Sequence, residues 1–398
     1  MPNSLLTPTA VTRKALAVLH QKLNFIGSIN RQHDDSFAKS GAKIGDSLKI
    51  RLPNEYTVSD GATLVTQDTT EASTTLTVSS QKHVGMNFTS AELTMSLDDF
   101  SERNIEPAMS VLAARMESDA LSMALDVYNA VNNVGSAITL NKALAARKIL
   151  VDNLAPGDKR NLLLNTQDNL DLVDGLKGLF QDSTEIAKQY REGKVGRTAG
   201  FGDIYENTLL SSQTTGTAPA TTLYVVNGAV TANGTSTVTV ATGTATFKKG
   251  DIFTVVGCNR VHPETKTDTG ALQQFVVTAD YAGGAGSLAF SPAISTSTGR
   301  QNVTAAGMPN GAALVKIGAA SSVYRPSLAY HKDAFTFATA DLIMPEGVDF
   351  SAREVFDGIS MRLVRQYAIS SDTLPCRIDV MYGFKTLRAQ LAARILSN

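Results

Sequence analysis

Apolar residues over positions 9–26 gather on one helical face: Val11, Ala15, Val18, Leu19, Leu23 and Ile26 recur mostly at intervals of three and four, with Thr9 behind Pro8 as an N-cap. This predicts an amphipathic N-terminal arm. From Lys43 the period changes to two. Leu48, Ile50 and Leu52 alternate with Ser47, Lys49 and Arg51, and Leu76, Val78, Val84, Met86 and Phe88 resume the alternation, which predicts a long hairpin. The tip of that hairpin, from Pro53 to Ser73, carries Glu55, Asp60, Asp68 and Glu71, no basic residue and few large apolar side chains. A ribbon with so little core of its own needs a neighbour to lie on.

The strongest helical spacing follows, at Ile105, Met109, Leu112, Met116, Ala120, Met123, Val127, Val131 and Val134, with Pro107 in the first turn and Gly135 at the end. It predicts one long helix over about 105–134, roughly 45 Å at ~1.5 Å per residue. A shorter helix is predicted over Asn141–Asn153 before Pro156, a buried strand at Leu162–Leu164, and a helix over Asp168–Phe180. The Met109, Met116 and Met123 stripe follows the helix repeat and reads as core.

Between Thr214 and about Val323 the composition shifts to Thr, Gly, Ala and Val, with ten charged residues, about half the density of the whole chain. Six β-prone runs lie here: Leu223–Val226, Thr237–Ala241, Ile252–Val256, Phe275–Thr278, Leu288–Phe290 and Ala313–Ile317, separated by Gly, Asn and Pro turns. That rhythm predicts an all-β domain, a small sandwich or barrel, inserted into an α+β host. Strand-like runs at Val323–Tyr330, Met361–Ile369 and Arg377–Tyr382 return to the host.

Composition narrows the function classes. Thirty-six Lys+Arg against 37 Asp+Glu leave no net charge to attract nucleic acid or a membrane surface, and the absence of Trp removes the best base-stacking side chain. The 398 residues can bury two domains. No stretch approaches ~18 apolar residues, and the N-terminus has no basic region followed by an apolar run, so no membrane partner is expected. Cys258 and Cys376 are too few for a disulfide framework or a four-cysteine zinc site, and fit a reducing compartment. The five histidines stand singly, the Gly283-Gly284-Ala285-Gly286 run lacks the lysine of a phosphate cradle, and no cofactor is called for. Asp168, Asp171 and Asp174 recur along one helix and read as a solvated face, with Asp168 favouring the helix N-terminus. Lys188, Arg191, Lys194 and Arg197 recur every third residue and could meet an acidic surface on a neighbour, or simply be solvated.

Three segments in order carry a family resemblance: Asn3-Ser-Leu-Leu-Thr-Pro8 with the helix behind it, Lys249–Gly257 with Thr269–Thr278, and Asp357–Arg362 with Arg377–Gly383. Together they resemble the major coat protein of phage P22 and its relatives. The resemblance implies an α+β Hong Kong 97-type capsid fold with an inserted β-barrel. It further implies an N-terminal arm at 1–39, an extended loop at 40–89, a spine helix and part of the peripheral domain at 90–139, and the first part of the axial domain at 140–217. The barrel would occupy 218–323, with the remaining axial and peripheral parts at 324–398. The implied function is that of a non-enzymatic shell subunit, assembling as pentamers and hexamers of an icosahedral procapsid that matures around double-stranded DNA. Implied partners are further copies of the chain, a scaffolding protein, a portal protein and packaged DNA bound without sequence specificity, in a virion assembled in the host cytoplasm. The subunit-interface candidates are Glu55, Asp60, Asp68 and Glu71 at the loop tip, with Lys188, Arg191, Lys194 and Arg197 near the capsomer centre.

Two other readings stay open on sequence. A phage tail-tube or decoration protein would share the Thr/Gly-rich β region but has no need of a long helix after a hairpin. An enzyme acting through the aspartates at 168–174 would lose its activity on their replacement by alanine.

Overall fold

The computed structural model describes Ala15 and residues 23–32, 47–67, 71–89, 105–176, 199–297, 299–356, 359–370 and 373–397. The chain divides into two compact units. One comprises residues 1–51, 73–121 and 335–387, and the other 52–72, 122–334 and 388–398.

In chain order the first unit begins with a single helical turn, α1 (Phe25–Ser28), followed by strands β1 (Ser47–Arg51), β2 (Ser73–Thr77) and β3 (Ser80–Thr89) and helix α2 (Glu106–Leu121). The second unit continues with β4 (Ala130–Asn132), α3 (Leu140–Asp152), β5 (Arg160–Leu164), α4 (Thr166–Leu176), β6 (Asp203–Glu206) and β7 (Gln213–Thr214). Six barrel strands follow: β8 (Thr221–Val226), β9 (Thr235–Ala241), β10 (Ile252–Val261), β11 (Asp268–Val277), β12 (Gly286–Ile294) and β13 (Ala313–Ile317). After them come β14 (Val323–Tyr324) and β15 (Ser327–His331). The chain then supplies β16 (Phe335–Ala340), β17 (Phe350–Phe356), β18 (Ile359–Arg365) and β19 (Thr373–Thr386) to the first unit before β20 (Ala392–Leu396) closes the second.

In the first unit, β1 and β2 form the expected antiparallel hairpin, with Ser47 opposite Thr77 and Arg51 opposite Ser73. The return strand stops there. Val84, Met86 and Phe88, read from sequence as its continuation, belong to β3, which pairs with β19 over its whole length. Period two identifies a strand but not its partner, and this partner lies almost 300 residues away. Strand β19 also pairs with β16 and β18, and β18 with β17, making a twisted antiparallel sheet. Ile50, Leu76 and Val78 bury against Ala338, Ala340 and Met381 of that sheet. At Gly383 a Cβ would stand 2.3 Å from the Thr77 carbonyl oxygen, so only glycine lets the hairpin base lie this close. Tyr382 donates to Asp119 of α2 at 2.7 Å, and the buried Glu117 of α2 accepts the backbone N–H groups of Phe25 and Ile26.

Met109, Met116 and Met123 are buried as core, as their spacing predicts. The helix itself is shorter than predicted. It ends at Leu121, about 24 Å long, and a 3₁₀ stretch over Ser122–Asp126 hands the chain to β4, which pairs in parallel with β20. The apolar spacing continues past Leu121 on Val127, Val131 and Val134, but Asn129, Asn132 and Asn133 lie between them, and β-branched residues with asparagines favour strand and turn over helix.

In the second unit β4, β20, β15, β5 and β6 form a mixed sheet, and β10-β11-β12-β9-β8-β13 close into a barrel, each overlapping one of the six β-prone runs. Phe247, Phe253, Phe275, Phe290, Tyr224 and eleven aliphatic side chains with Cys258 fill its interior. A second cluster joins the barrel to the host sheet through Ile252, Val276, Tyr128, Ala130, Tyr324 and Leu396. Among the described residues no helix is long and apolar enough to cross a membrane.

Candidate assembly surface

Among the described residues between Arg51 and Ser73 there is no regular strand; the Leu52 N–H donates to the Ala72 carbonyl at 2.8 Å, and side chains order part of the tip. Gln67 stands in for a strand partner, accepting the Thr57 N–H at 3.0 Å and donating back to the Thr57 carbonyl. Glu55 meets Lys266 of the barrel at 3.4 Å, and Arg300 donates to the Pro53 carbonyl at 3.4 Å. Gly299 allows this approach, since a Cβ there would fall 2.3 Å from the Glu55 carbonyl oxygen. The rest of the tip is uncovered: Val58 is 93% and Leu64 85% exposed, with Tyr56 and Val65 more than half exposed. An isolated chain gains nothing from holding these side chains in water.

The tip has no basic residue of its own, and within the chain Glu55 meets Lys266. Its partner lies 211 residues away, outside any local window. Asp60 and Glu71 are exposed. Asp68 and the four cations Lys188, Arg191, Lys194 and Arg197 lie outside the described residues. The sequence did hold a signal for Lys266 and Arg300: charge is scarce in the insertion, so each charged residue there stands out.

Beneath the tip opens a cavity of about 550 Å³, lined by Glu55, Tyr128, Arg260, Lys266, Gln273 and Arg300 among others. Arg260 pairs with Asp152 at 3.2 Å, while its buried Nε has no hydrogen-bond partner. Burial raises the pKa of the Tyr128 hydroxyl, against a smaller opposing effect of the Arg260 charge, so the phenol stays neutral.

The foot of the barrel is held by buried charges. Lys316, fully enclosed, donates to the carbonyls of Gly216 at 3.2 Å, Ala218 at 3.0 Å and Ala319 at 3.2 Å, and stands 3.9 Å from Asp251. Asp251 accepts the backbone N–H groups of Gly216 and Lys248, both at 2.9 Å. Arg394 of β20 donates to Gln213 and to the Gly250 carbonyl, each at 2.8 Å. Desolvation dominates all three groups: it raises Asp251, lowers Lys316 and brings Arg394 down to about 10. The cluster gathers the segment entering the barrel, the segment leaving it and the last host strand, so its hydrogen bonds fix how the insertion is mounted. The sequence reading did not single out Lys316; the signal for it was its period-two spacing from Leu314 on the inward face of β13.

Asp168 also departs from its reading as part of a solvated face. It is 2% exposed and receives hydrogen bonds from Asn165 at 3.1 Å and from Ser327 of β15, while Asn165 accepts the Asp168 N–H. The first turn of α4 is thereby capped and tied to the sheet. Burial raises the Asp168 carboxyl pKa, in part opposed by the serine hydrogen bond. Asp379 plays a comparable part in the first unit, where Arg362 at 2.8 Å and Arg377 at 2.6 Å flank its buried carboxylate. Among the described residues no group of His, Cys, Asp and Glu could hold a metal ion.

Residues 36–394 match a family model described as P22 coat protein, gene protein 5. No curated protein matches the chain. Among solved structures, the chain is similar to one from Mycobacterium phage Che8, at 13% identity over 94% of this chain and 90% of that one, with a TM-score of 0.47. It is also similar to the capsid of the cyanophage P-SCSP1u, at 12% identity over 91% and 85% with a TM-score of 0.41. A third is the bacteriophage PhiM1 mature capsid, at 8% identity over 88% and 82% with a TM-score of 0.42. The class is that of a structural protein of the virion, a major capsid protein that forms a phage shell by self-assembly. The chain belongs to the P22 coat protein family.

Proposed function

We infer that this capsid protein has the Hong Kong 97-type fold with an inserted barrel and builds an icosahedral procapsid from pentamers and hexamers, which matures to enclose double-stranded DNA. The observation that carries this reading is the contrast between a closed six-stranded insertion on a rigid foot and a hairpin whose tip leaves Val58 and Leu64 in solvent. Such a tip reaches its final stability only when another subunit covers it, so folding and association free energies are shared. The acidic residues Asp60, Asp68 and Glu71 then meet cations of neighbouring subunits, and the 188–197 segment lies where subunits converge. A scaffolding protein and a portal protein join assembly in the host cytoplasm, and the lumen holds DNA without sequence readout. Electron microscopy of the purified chain with its scaffolding protein tests the reading. Closed shells of uniform diameter with five- and six-fold clusters are expected; tubes or unassembled chains contradict it.

A further inference from the structure

Among the described residues, the cavity at the open end of the barrel carries more positive charge than the chain neutralises. Arg260, Lys266 and Arg300 line its volume of about 550 Å³, and Glu55 is the one carboxylate in the lining. Asp152, which pairs with Arg260 at 3.2 Å from the end of α3, brings the count to two carboxylates against three cations. Few of the donors are well used. A guanidinium offers five N–H groups and an ammonium three, yet the Arg260 Nε is buried with no partner. Lys266 reaches Glu55 at 3.4 Å and the Gln301 carbonyl at 3.5 Å, and Arg300 reaches the Pro53 carbonyl at 3.4 Å, all near the outer limit for such bonds. A buried donor left unmade costs free energy that a bound acceptor restores. Lys266 also sits at a φ of 57°, in the left-handed region, so the backbone is strained where it delivers a side chain only 11% exposed to this cavity.

We propose that the cavity is a binding site for a small polyphosphate anion, either free pyrophosphate or the phosphate tail of a nucleotide. Linked tetrahedral phosphoryl groups carry many acceptor oxygens over a short span. Two guanidinium forks can each take a pair of them, while the ammonium contributes a point charge. A single carboxylate would leave most of these donors unused. The volume falls in the range of small-molecule sites, about 300–1,000 Å³, and does not admit a DNA duplex. The bound anion joins Arg260 of β10, Lys266 of the turn between β10 and β11, and Arg300 of the segment between β12 and β13, and so holds the loops at this end of the barrel together. The site is complete in one chain and does not depend on assembly.

Isothermal titration of sodium pyrophosphate into the unassembled full-length chain, at an ionic strength held constant with sodium chloride, tests the proposal. One ion per chain should bind with a dissociation constant of about 1 mM or tighter. Arg260→Gln should weaken that binding at least about tenfold, since charge-assisted hydrogen bonds are the strong ones. Arg300→Gln, which removes a cation from the rim, should weaken it several-fold and decides the matter alone if Arg260→Gln does not fold. Adenosine triphosphate in a parallel titration separates the two sources: comparable affinity admits a nucleotide's tail, and binding of pyrophosphate alone assigns the site to the free ion, and both support the proposal. No saturable heat with either compound, an affinity unaltered by both substitutions, or binding of a duplex oligonucleotide without pyrophosphate overturns it.

Discussion

The inserted barrel and the extended hairpin are both antiparallel β structure, and they solve the problem of an unsatisfied sheet in opposite ways. The barrel closes on itself, leaves no unpaired edge, and buries seventeen apolar side chains in one cluster among the described residues. Among the described residues the hairpin contributes three buried side chains, Ile50, Leu76 and Val78, all at its base, while towards its tip the Glu55–Lys266 and Arg300–Pro53 contacts stand at 3.4 Å. The first holds a core of its own; the second has its buried side chains at its base alone among the described residues. A shell subunit needs both, a rigid body and a projection whose stability depends on neighbours.

Substitutions can break this contrast, and the largest effect belongs in the barrel interior. Phe253 packs against Phe275, Phe290 and Phe247, so Phe253→Ala should cost about 3–5 kcal/mol of barrel stability, read by denaturant unfolding of residues 218–323 alone. A cost under ~1 kcal/mol, or a fragment without a dispersed amide spectrum, would deny the barrel its independence. Next comes the foot. Lys316→Ala abandons three carbonyls and leaves Asp251 buried without its ammonium, and should cost about 3–5 kcal/mol in denaturant unfolding of the whole chain.

The pH response of the host sheet is smaller and its sign is fixed. His331 is buried at the end of β15, its Nδ1 accepts the Asp333 N–H at 3.2 Å, and burial lowers its pKa from 6.5. A depressed folded value gives a contribution present above pH 6.5 and lost as pH falls through the folded value. His331→Gln should therefore flatten the decline in melting temperature below pH 6.5; an unchanged slope would remove His331 as its source. The smallest effect on the free chain belongs to the tip. Val58→Ser and Leu64→Ser should shift unassembled stability by no more than about 0.5 kcal/mol, while the concentration needed for shell assembly rises. Equal effects on the free chain and on assembly would erase the distinction between the regions.

The same contrast explains what could be read from sequence. All six barrel strands were legible because each alternates inward and outward residues around one local core, and Lys316 was detectable as the charged residue in an inward position of its strand. The helix end at Leu121 was not, because Met123, Val127, Val131 and Val134 keep the helical spacing, and the asparagines that favour strand and turn come only from Asn129 onward. The partner of β3, the Lys266 opposite Glu55 and the Ser327 opposite Asp168 were hidden for one reason: each contact closes across 150 residues or more, and no periodic pattern reports which distant segment arrives. The coat-protein family was legible because its segments recur in order across nearly the whole chain.

Amide hydrogen exchange on the free chain and on assembled shells tests the central claim most directly. The account predicts that β8–β13 are protected in both states, while residues 53–67 exchange rapidly in the free chain and slow by orders of magnitude only in shells. A loop tip already protected in the free chain, with no further slowing on assembly, would contradict it.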